Sequence, residues 1–302
     1  MFPQPTQLAG RYEMRAPAGQ GGMGQVWLAY DRLLRREVAI KQVTVPPKSD
    51  AQTLELLCGL ALQEAQAAAQ ISHSHAIRIY DIVQADGLPW IVMEYVPSQT
   101  LHQIIRRGGP LDVGYTATIG LAVLGALEAA HRAGVLHRDV TPNNVLIGHD
   151  GRIVLADFGL ATWASETTDS QAGPMGTAQY VAPERAAEGL STPAGDLWSL
   201  GATLYAAVEG RSPYARPTAS ETLEALLTQP PDAFVRAGAL EPVITGLLQK
   251  DPPRRLTVSA ARRGLLDVSR LPQTSSQPPA PRPRRRPATV FAPTQRQLAL
   301  AH

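Results

Sequence analysis

The chain has 302 residues, 44% of them hydrophobic, which is enough for about two globular domains. Its formal charge of +2 is unevenly distributed along the chain. Residues 272–302 hold five arginines and no acidic residue, whereas the rest of the chain holds 23 basic and 26 acidic residues. Because the globular part is therefore slightly acidic, we expect no nucleic-acid partner. The single cysteine, Cys58, excludes an intramolecular disulfide and favours a reducing compartment.

The predicted elements change in character near residue 97. Before it, strands are predicted over 25–30, 37–45, 77–84 and 89–96, and a helix over 51–71. After it, short strands are predicted over 145–147 and 153–155, and helices over 99–107, 114–133, 194–210, 219–229, 239–249 and 257–268. The sequence therefore predicts an α+β chain in three parts: a small β-rich lobe with one main helix (1–96), a larger, mostly helical lobe (97–270) and a disordered Pro- and Arg-rich tail (271–302).

Neither the N-terminus nor the longest apolar run indicates a membrane segment. Residues 1–10 lack the basic start and the apolar run of a signal peptide. Val113–Leu127 is apolar and uncharged, but it is too short to span a bilayer and lies between Asp112 and Glu128. We therefore expect a buried core helix there, no transmembrane segment in this chain and a cytoplasmic location.

A glycine-rich segment lies in the first part of the chain. Gly19, Gly21, Gly24 and Val26 fit the pattern G-x-G-x-x-G-x-V, in which missing side chains let backbone amides approach phosphate oxygens. Alone the pattern is weak, since a dinucleotide-binding turn or a plain flexible loop fits it about as well. A dinucleotide site requires a helix directly afterwards, however, and here a strand is predicted. The Val-Ala-Ile-Lys segment that ends at Lys41 makes the phosphate-binding interpretation more specific.

Lys41 is the candidate cation for the α- and β-phosphates of a nucleotide. A lone lysine on a strand is usually a solvated surface residue, but Lys41 follows three apolar residues and a glycine loop. An ammonium in this place needs an acidic partner to fix it. Glu64 on the predicted helix is the preferred partner, and Glu55 on the same helix is the alternative, although a surface role suits Glu55 better.

The most informative motifs lie in the second part. Residues 137–144 read His-Arg-Asp-Val-Thr-Pro-Asn-Asn, and Asp157-Phe158-Gly159 follows. Asp139 is suited to orient a substrate hydroxyl and accept its proton. Asn144 and Asp157 offer hard oxygen ligands, which Mg²⁺ (or Mn²⁺) prefers, whereas a simple turn aspartate is the structural alternative for Asp157. The combination predicts transfer of the γ-phosphate of ATP.

Seven motifs occur in the chain in the order GGMGQVW, VAIK, MEYV, HRDV, DFG, GTAQYVAPE and DLWSLG. In these motifs and their order, the chain resembles the eukaryotic-type serine/threonine protein kinases, and in detail the bacterial branch of that family. The resemblance covers roughly residues 11–265. It implies a bilobal kinase fold that binds ATP and phosphorylates protein serine or threonine. On the nucleotide side it implies that Met93 is the gatekeeper. It further implies that Glu94 and Val96 form the hinge, whose backbone contacts the purine. Val26, Ala39 and Leu146 would enclose the purine between apolar side chains.

The same resemblance implies roles in the second lobe. Thr177 would hydrogen-bond near Asp139. Asp196 would hold the backbone of the catalytic loop, and Glu184 would pair with Arg255. Residues 176–184 correspond to a platform for an extended peptide, which argues for protein substrates over the alternative of a small-molecule phosphotransferase.

One position departs from the family pattern in a way that bears on turnover. Thr141 stands where serine/threonine kinases usually carry a lysine that clamps the γ-phosphate. A charge-assisted hydrogen bond contributes about 1.5–3 kcal/mol, so its loss from the transition state predicts catalysis that is slow rather than absent. The alternative is an ATP-binding pseudokinase scaffold. Only Thr141 favours that alternative, because Lys41, Asp139, Asn144 and Asp157 are all present.

Arg138 and the tail suggest regulation. An arginine before Asp139 can pair with a phosphate on the activation segment, and we expect autophosphorylation there. The available acceptors are Ser165, Thr167, Thr168 and Ser170. The tail reads PRPRRRP over Pro281–Pro287, followed by Thr289. Three interpretations stay open for it: a solvated linker, attraction to an anionic membrane surface, and docking of a phosphothreonine-reading domain on phosphorylated Thr289.

Overall fold

The computed structural model describes residues 7–21, 24–43, 50–85, 87–159 and 178–271. Several expectations fall outside these ranges. They concern Thr177, the acceptors Ser165, Thr167, Thr168 and Ser170, and the tail after Leu271.

The first part of the chain forms an antiparallel six-stranded sheet in the order β1-β2-β3-β4-β6-β5. Its strands are β1 (Gln7–Leu8), β2 (Tyr12–Gly21), β3 (Gly24–Asp31), β4 (Arg36–Gln42), β5 (Ile79–Ala85) and β6 (Leu88–Glu94). Four of them confirm predicted strands. The sequence analysis missed β1, which is short, and β2, whose Pro17 and glycines weaken the strand signal. Because β4 is an inner strand, Lys41 lies between Val26 of β3 and Ile91 of β6.

The predicted helix between β4 and β5 is present as α1 (Ala51–Ala69). Asp50 caps its N-terminus by accepting a hydrogen bond from the Thr53 amide at 2.7 Å. One face, which carries Leu57, Ala61, Ala65 and Ala68, is buried. Glu64 is half-buried at the edge of that face, whereas Glu55 is exposed. The helix therefore directs Glu64, and not Glu55, towards the interior.

The second part combines seven helices with a small sheet among the residues that the structure describes. The helices are α2 (Leu101–Gly108), α3 (Val113–Arg132), α4 (Pro183–Glu188), α5 (Pro193–Glu209), α6 (Ala219–Thr228), α7 (Glu241–Leu247) and α8 (Val258–Ser269). The sheet has the antiparallel order β7 (Ser98–Thr100), β8 (Val145–Gly148) and β9 (Ile153–Leu155). The helix α4 was not predicted, and a 3₁₀ turn, Gly238–Leu240, replaces the predicted start of α7.

The helices α3 and α5 form the centre of this part. Along α5 nearly every residue is buried, and Trp198 and Tyr205 have no exposed surface. Of the described helices, only α3 has the length and apolar character to cross a bilayer, but 72% of its most apolar window is buried inside the protein. This is the buried core helix expected from the sequence. The architecture, a β-rich region followed by a helical one, is consistent with the predicted bilobal α+β fold.

A short segment before β5 connects the two sheets. The Ile77 amide donates to the Leu155 carbonyl at 2.9 Å, and the Leu155 amide donates to the His75 carbonyl at 2.8 Å. The His75 Nδ1 also contacts the Ile153 carbonyl at 2.8 Å. Strand β9, which leads directly to Asp157, is thereby held against the first part of the chain.

Candidate active site

The glycine-rich segment forms the hairpin between β2 and β3. Gly21 pairs with Gly24 across it, and the register shifts between Pro17 and Gly19. A side chain added at Gly19 would meet no atom within 4 Å, so the space beside this strand is open. The hairpin therefore presents its backbone to a space that a phosphate chain could occupy.

Lys41 is directed inward from β4 and is nearly buried. Its Nζ lies 2.9 Å from Oδ1 of Asp157. The expected partner, Glu64, instead forms an ion pair with the guanidinium of Arg138. The structure thus joins Lys41 to Asp157 and gives Glu64 a partner other than the predicted one.

Two residues that take part in these ion pairs have unusual backbone angles. Arg138 has φ 67° and Asp157 has φ 64°, in the left-handed region that residues other than glycine rarely adopt. Such conformations cost about 1–3 kcal/mol each and tend to occur at functional sites. Neither these φ values nor the choice of ion pairs follows from sequence spacing.

Asp196 holds the backbone of the catalytic loop, as the resemblance implied. Its Oδ2 accepts hydrogen bonds from the His137 amide at 2.9 Å and from the His131 ring at 2.7 Å, and its Oδ1 accepts from the Arg138 amide at 2.8 Å. Burial by itself raises the pKa of Asp196, but these hydrogen bonds outweigh it, and the net effect is a lowered pKa. The carboxylate stays ionised and keeps the loop in place.

Asp139 is buried, with 7% of its surface exposed, and its two oxygens differ. The Asn144 side-chain amide donates to Oδ2 at 2.7 Å and to the Asp139 carbonyl at 2.8 Å. Oδ1 is buried and accepts no hydrogen bond from any group in the described part of the chain. Burial raises the pKa of Asp139, and the nearby Asp157 raises it further, while His137, the Asn144 hydrogen bond and Arg185 act in the opposite direction; the net effect is a raised pKa.

His137 is held by hydrogen bonds at both ring nitrogens. Its Nε2 donates to the Ala156 carbonyl at 2.8 Å, and its Nδ1 accepts from the Asp139 amide at 3.2 Å. The ring also packs edge-on against Phe158, with 4.8 Å between centroids. His137 thereby fixes the loop next to Asp139.

Asn144 and Asp157 fit the requirements of a magnesium site. Because the amide nitrogen of Asn144 donates to Asp139, its side-chain oxygen remains as the group that can coordinate a cation. Asp157 supplies a carboxylate that is partly exposed and bonded to Lys41. The donor set consists of hard oxygens, as Mg²⁺ prefers. No cluster of three or more His, Cys, Asp or Glu side chains suited to a metal occurs among the residues that the structure describes.

The residues expected around a purine lie between the two parts of the chain. Ala39 and Met93 are buried, and Val26, Val96 and Leu146 are partly buried against the same core. The Glu94 amide donates to the Arg78 carbonyl at 2.8 Å, so any contact of Glu94 with a purine is restricted to its carbonyl. The Glu94 side chain forms an ion pair with Arg152, which the sequence analysis did not anticipate.

The structure confirms the pair of Glu184 with Arg255. Arg255 Nη1 and Nη2 donate to the two Glu184 oxygens at 2.8 and 3.0 Å. Arg255 also donates to the Ala194 carbonyl at 2.6 Å and lies over the Trp198 ring. The pair holds the start of α4. The next residue, Arg185, donates to the Arg138 carbonyl, a contact that no motif predicted because it depends on how α4 packs.

Comparison with known proteins agrees with this geometry. Residues 12–264 match the protein kinase domain family. The serine/threonine-protein kinase PrkC of Bacillus subtilis (strain 168) is 36% identical over 229 residues, 75% of this chain and 35% of PrkC. The probable serine/threonine-protein kinase PknB of Bifidobacterium longum is 38% identical over 229 residues, 71% of this chain and 32% of that protein. The serine/threonine-protein kinase PknA of Mycobacterium tuberculosis is 33% identical over 310 residues, 97% of this chain and 69% of PknA. The chain spans about a third of the length of PrkC and PknB.

Proposed function

Because the chain belongs to the protein kinase domain family, we propose that it is a serine/threonine protein kinase. The observation that supports this most directly is the Asp139 carboxylate, one oxygen of which is held by Asn144 while the other is buried and accepts no described hydrogen bond. A substrate hydroxyl would donate to that oxygen. The hydroxyl oxygen of the substrate then bonds to the γ-phosphorus of ATP, while the bond between that phosphorus and the β-phosphate oxygen breaks. The hydroxyl proton passes to Asp139, and ADP leaves.

Asn144 and Asp157 would hold the metal that accompanies ATP. When bound, Mg²⁺ neutralises phosphate charge and orients the phosphate chain for in-line transfer. Lys41 would hold the α- and β-phosphates, and the glycine hairpin would cover them. The apolar residues around the purine support this arrangement, since they leave a partly exposed, non-polar surface between the two parts of the chain.

We further propose that phosphorylation of the activation segment controls the ion pairs of the site. Arg138 holds Glu64, and Lys41 is bonded to Asp157. A phosphate carries a charge of about −1.5 to −2 and competes strongly for a guanidinium. If it captured Arg138, Glu64 would be released to pair with Lys41, and Asp157 would be released to coordinate the metal. Thr167 and Thr168, outside the described residues, are the preferred acceptors, with Ser165 and Ser170 as alternatives.

Mass spectrometry tests whether the protein modifies itself. We expect phosphate in the segment over 160–177 when the wild-type protein is purified, and none there in Asp139→Asn, because that variant lacks the proton acceptor. Phosphate present equally in both proteins would refute autophosphorylation. The same map would identify which of the four acceptors is used.

The alternative of an ATP-binding pseudokinase scaffold is favoured by two observations. Thr141 provides no charge in the catalytic loop, and Lys41 is bonded to Asp157, the candidate metal ligand. Incubation with labelled ATP, alone and with a generic basic protein, separates the two functions. Transfer of label to protein supports the kinase, whereas binding of ATP without transfer supports the scaffold.

The tail provides a further proposal about partners. We propose that its arginine cluster over Pro281–Pro287 attracts the chain to anionic membranes, at about 1 kcal/mol per basic residue near the surface. Flotation with liposomes that contain anionic lipid should recover the full chain and not a chain that ends at Leu271. Equal flotation of both would leave the solvated-linker interpretation. If a phosphothreonine-reading domain binds the chain only after Thr289 is phosphorylated, the result would favour the interpretation of the tail as a docking segment.

A further inference from the structure

The catalytic loop lacks a positive charge at position 141. Thr141 lies two residues after Asp139 and is buried, with 4% of its surface exposed. A threonine there can pack and hydrogen-bond, but it carries no positive charge to act on Asp139 or on a phosphate. Under the function proposed above, the site would be short of one cation during transfer.

Two of the three other basic groups next to Asp139 are committed elsewhere. Lys41 is bonded to Asp157 at 2.9 Å, and the Arg138 guanidinium is paired with Glu64. His137 lies within the loop itself, where its ring nitrogens are used in hydrogen bonds and where it lowers the pKa of Asp139. Lys41 and Arg138 are therefore held by other carboxylates, and His137 is the one of these three groups that acts on Asp139.

Arg185 approaches Asp139 from another element. It lies in the first turn of α4, next to Glu184, whose two hydrogen bonds to Arg255 fix the position of that turn. Its Nη1 donates to the Arg138 carbonyl, the peptide group that directly precedes Asp139. At this place the guanidinium adjoins the peptide group next to Asp139, from where its positive charge can act on the Asp139 carboxylate.

We propose that Arg185 is a positioning residue for Asp139 and supplies, from α4, part of the positive charge that a lysine at position 141 would otherwise supply. It acts in two ways. The hydrogen bond to the Arg138 carbonyl orients the loop, and the guanidinium charge stabilises negative charge around Asp139. The inference rests on the proposed kinase function. It also implies that the effects of positions 141 and 185 on turnover are not independent.

The test measures kcat and KM for ATP in a set of variants with a generic basic protein as substrate. Arg185→Gln should lower kcat about tenfold, the lower end of what one charge-assisted hydrogen bond contributes, with KM for ATP and the melting temperature unchanged. Arg185→Lys should retain most of the wild-type kcat, because it keeps the charge. Thr141→Lys should raise kcat by a larger factor in the Arg185→Gln background than in the wild-type background.

A matched control is Arg263→Gln, which removes an exposed arginine from α8. It should change neither kcat nor stability. The inference is overturned if Arg185→Gln keeps the wild-type kcat, if Arg185→Lys is as slow as Arg185→Gln, or if the gain from Thr141→Lys is the same in both backgrounds. If Thr141→Lys fails to fold, the comparison of kcat between Arg185→Gln and Arg185→Lys still tests whether the charge of Arg185 supports turnover. Absence of transfer by the wild-type protein would refute the proposed function instead.

Discussion

Two residues of the catalytic loop have different roles in the proposed reaction. Asp139 would provide the proton acceptor; Asn144 holds one of its oxygens, and the other oxygen is buried and accepts no hydrogen bond from the described residues. Thr141 brings no positive charge to the loop. Under the proposed function, we expect Asp139 to be needed for transfer and Thr141 to lower its rate.

Replacing Asp139 tests the role of the acceptor. Asp139→Asn keeps the shape of the side chain but removes its ability to take a proton. We expect phosphate transfer to fall by about 10²–10⁴-fold or more, because a positioned base contributes that much, while ATP binding is retained. Single-turnover transfer of labelled phosphate and equilibrium binding of ATP measure the two quantities. Asp267→Asn, an exposed aspartate on α8, is the control and should behave as wild type. Wild-type transfer by Asp139→Asn would exclude Asp139 as the base.

Replacing Thr141 tests the missing charge. Thr141→Lys should raise kcat in the wild-type background, by at most the roughly 10- to 150-fold that a charge-assisted hydrogen bond of about 1.5–3 kcal/mol provides. The increase should be smaller if Arg185 already supplies part of the charge. Steady-state kinetics on protein with an unchanged melting temperature gives the result. An unchanged or lower kcat in well-folded protein would show that charge at this position does not limit the rate.

Among the elements, the helices differ in how closely they pack, and two helical glycines illustrate the difference. Gly201 of α5 faces α7, and an added Cβ would lie 2.7 Å from Leu247 Cβ. Gly59 of α1 is exposed, and an added Cβ would meet no atom within 4 Å. The first glycine permits a helix contact, whereas the second only lowers helix propensity.

The two glycines form a matched pair of substitutions. Gly201→Ala should lower the free energy of unfolding by about 1–3 kcal/mol, because the helices must move apart. Gly59→Ala should raise it by about 0.5–1 kcal/mol, because alanine favours the helix and nothing opposes the new methyl group. Urea unfolding of both variants measures the values. A Gly201→Ala variant at least as stable as the wild type would refute the close contact between α5 and α7, and a Gly59→Ala variant that lost stability would contradict the open space beside Gly59.

The turn between β3 and β4 is held by a buried carboxylate. Asp31 accepts hydrogen bonds from Arg11 at 2.9 and 2.7 Å and from the Leu33 and Leu34 amides at 3.0 and 3.1 Å. The Arg11 hydrogen bond, more than the backbone ones, lowers the pKa of Asp31 to about 2, although burial opposes it. The ion pair of Asp31 with Arg11 thereby links the turn between β3 and β4 to the start of β2.

The depressed pKa predicts a pH-dependent contribution to stability. Because the folded state binds the Asp31 proton less tightly than the unfolded state, the contribution is complete above the unfolded pKa of 3.8 and disappears as the pH falls towards about 2. Asp31→Asn should lower the free energy of unfolding by about 2 kcal/mol at pH 7 and by about half as much at pH 3. Urea unfolding at both pH values tests it. An equal difference at the two pH values would contradict the assigned pKa.

Across the whole molecule, ion pairs join distant segments. Three of them link the β-rich part to the helical part: Lys41 with Asp157, Glu64 with Arg138, and Glu94 with Arg152. Each lies beside the candidate nucleotide site, so binding there would act on the contact between the two parts. We propose that the boundary at residues 96 and 97 is the hinge of this movement.

A fourth pair stabilises the helical part itself. Arg255 has 1% of its side chain exposed, and it contacts Glu184 of α4 as well as Ala194 and Trp198 of α5. Arg255→Leu leaves Glu184 without its cation, and we expect a loss of about 3–5 kcal/mol in the free energy of unfolding. Urea unfolding measures it. The double variant Glu184→Gln with Arg255→Leu should recover part of the loss. A single variant as stable as wild type would show that the pair contributes little.

Local chemistry was predictable because it is written in short stretches of sequence. The spacing of Asp139, Asn144 and Asp157 is that of a phosphate-transfer site, and the periodicity of α1 and α3 is visible in their apolar residues. The strand β2 was missed because glycine and proline weaken the local signal, although pairing with β3 stabilises it. The helix α4 was missed because it is too short to show a periodicity.

By itself, the sequence determined the family and most of the elements, and it predicted the reacting groups, since these depend on residue type and spacing. The tertiary structure alone decided which charges meet. Lys41 contacts Asp157 and Arg138 contacts Glu64, and neither pairing follows from residue type or spacing. Arg185 reaches the catalytic loop because α4 packs against it. Electrostatic energy depends on distances between residues far apart in the chain, and folding, not spacing, sets those distances.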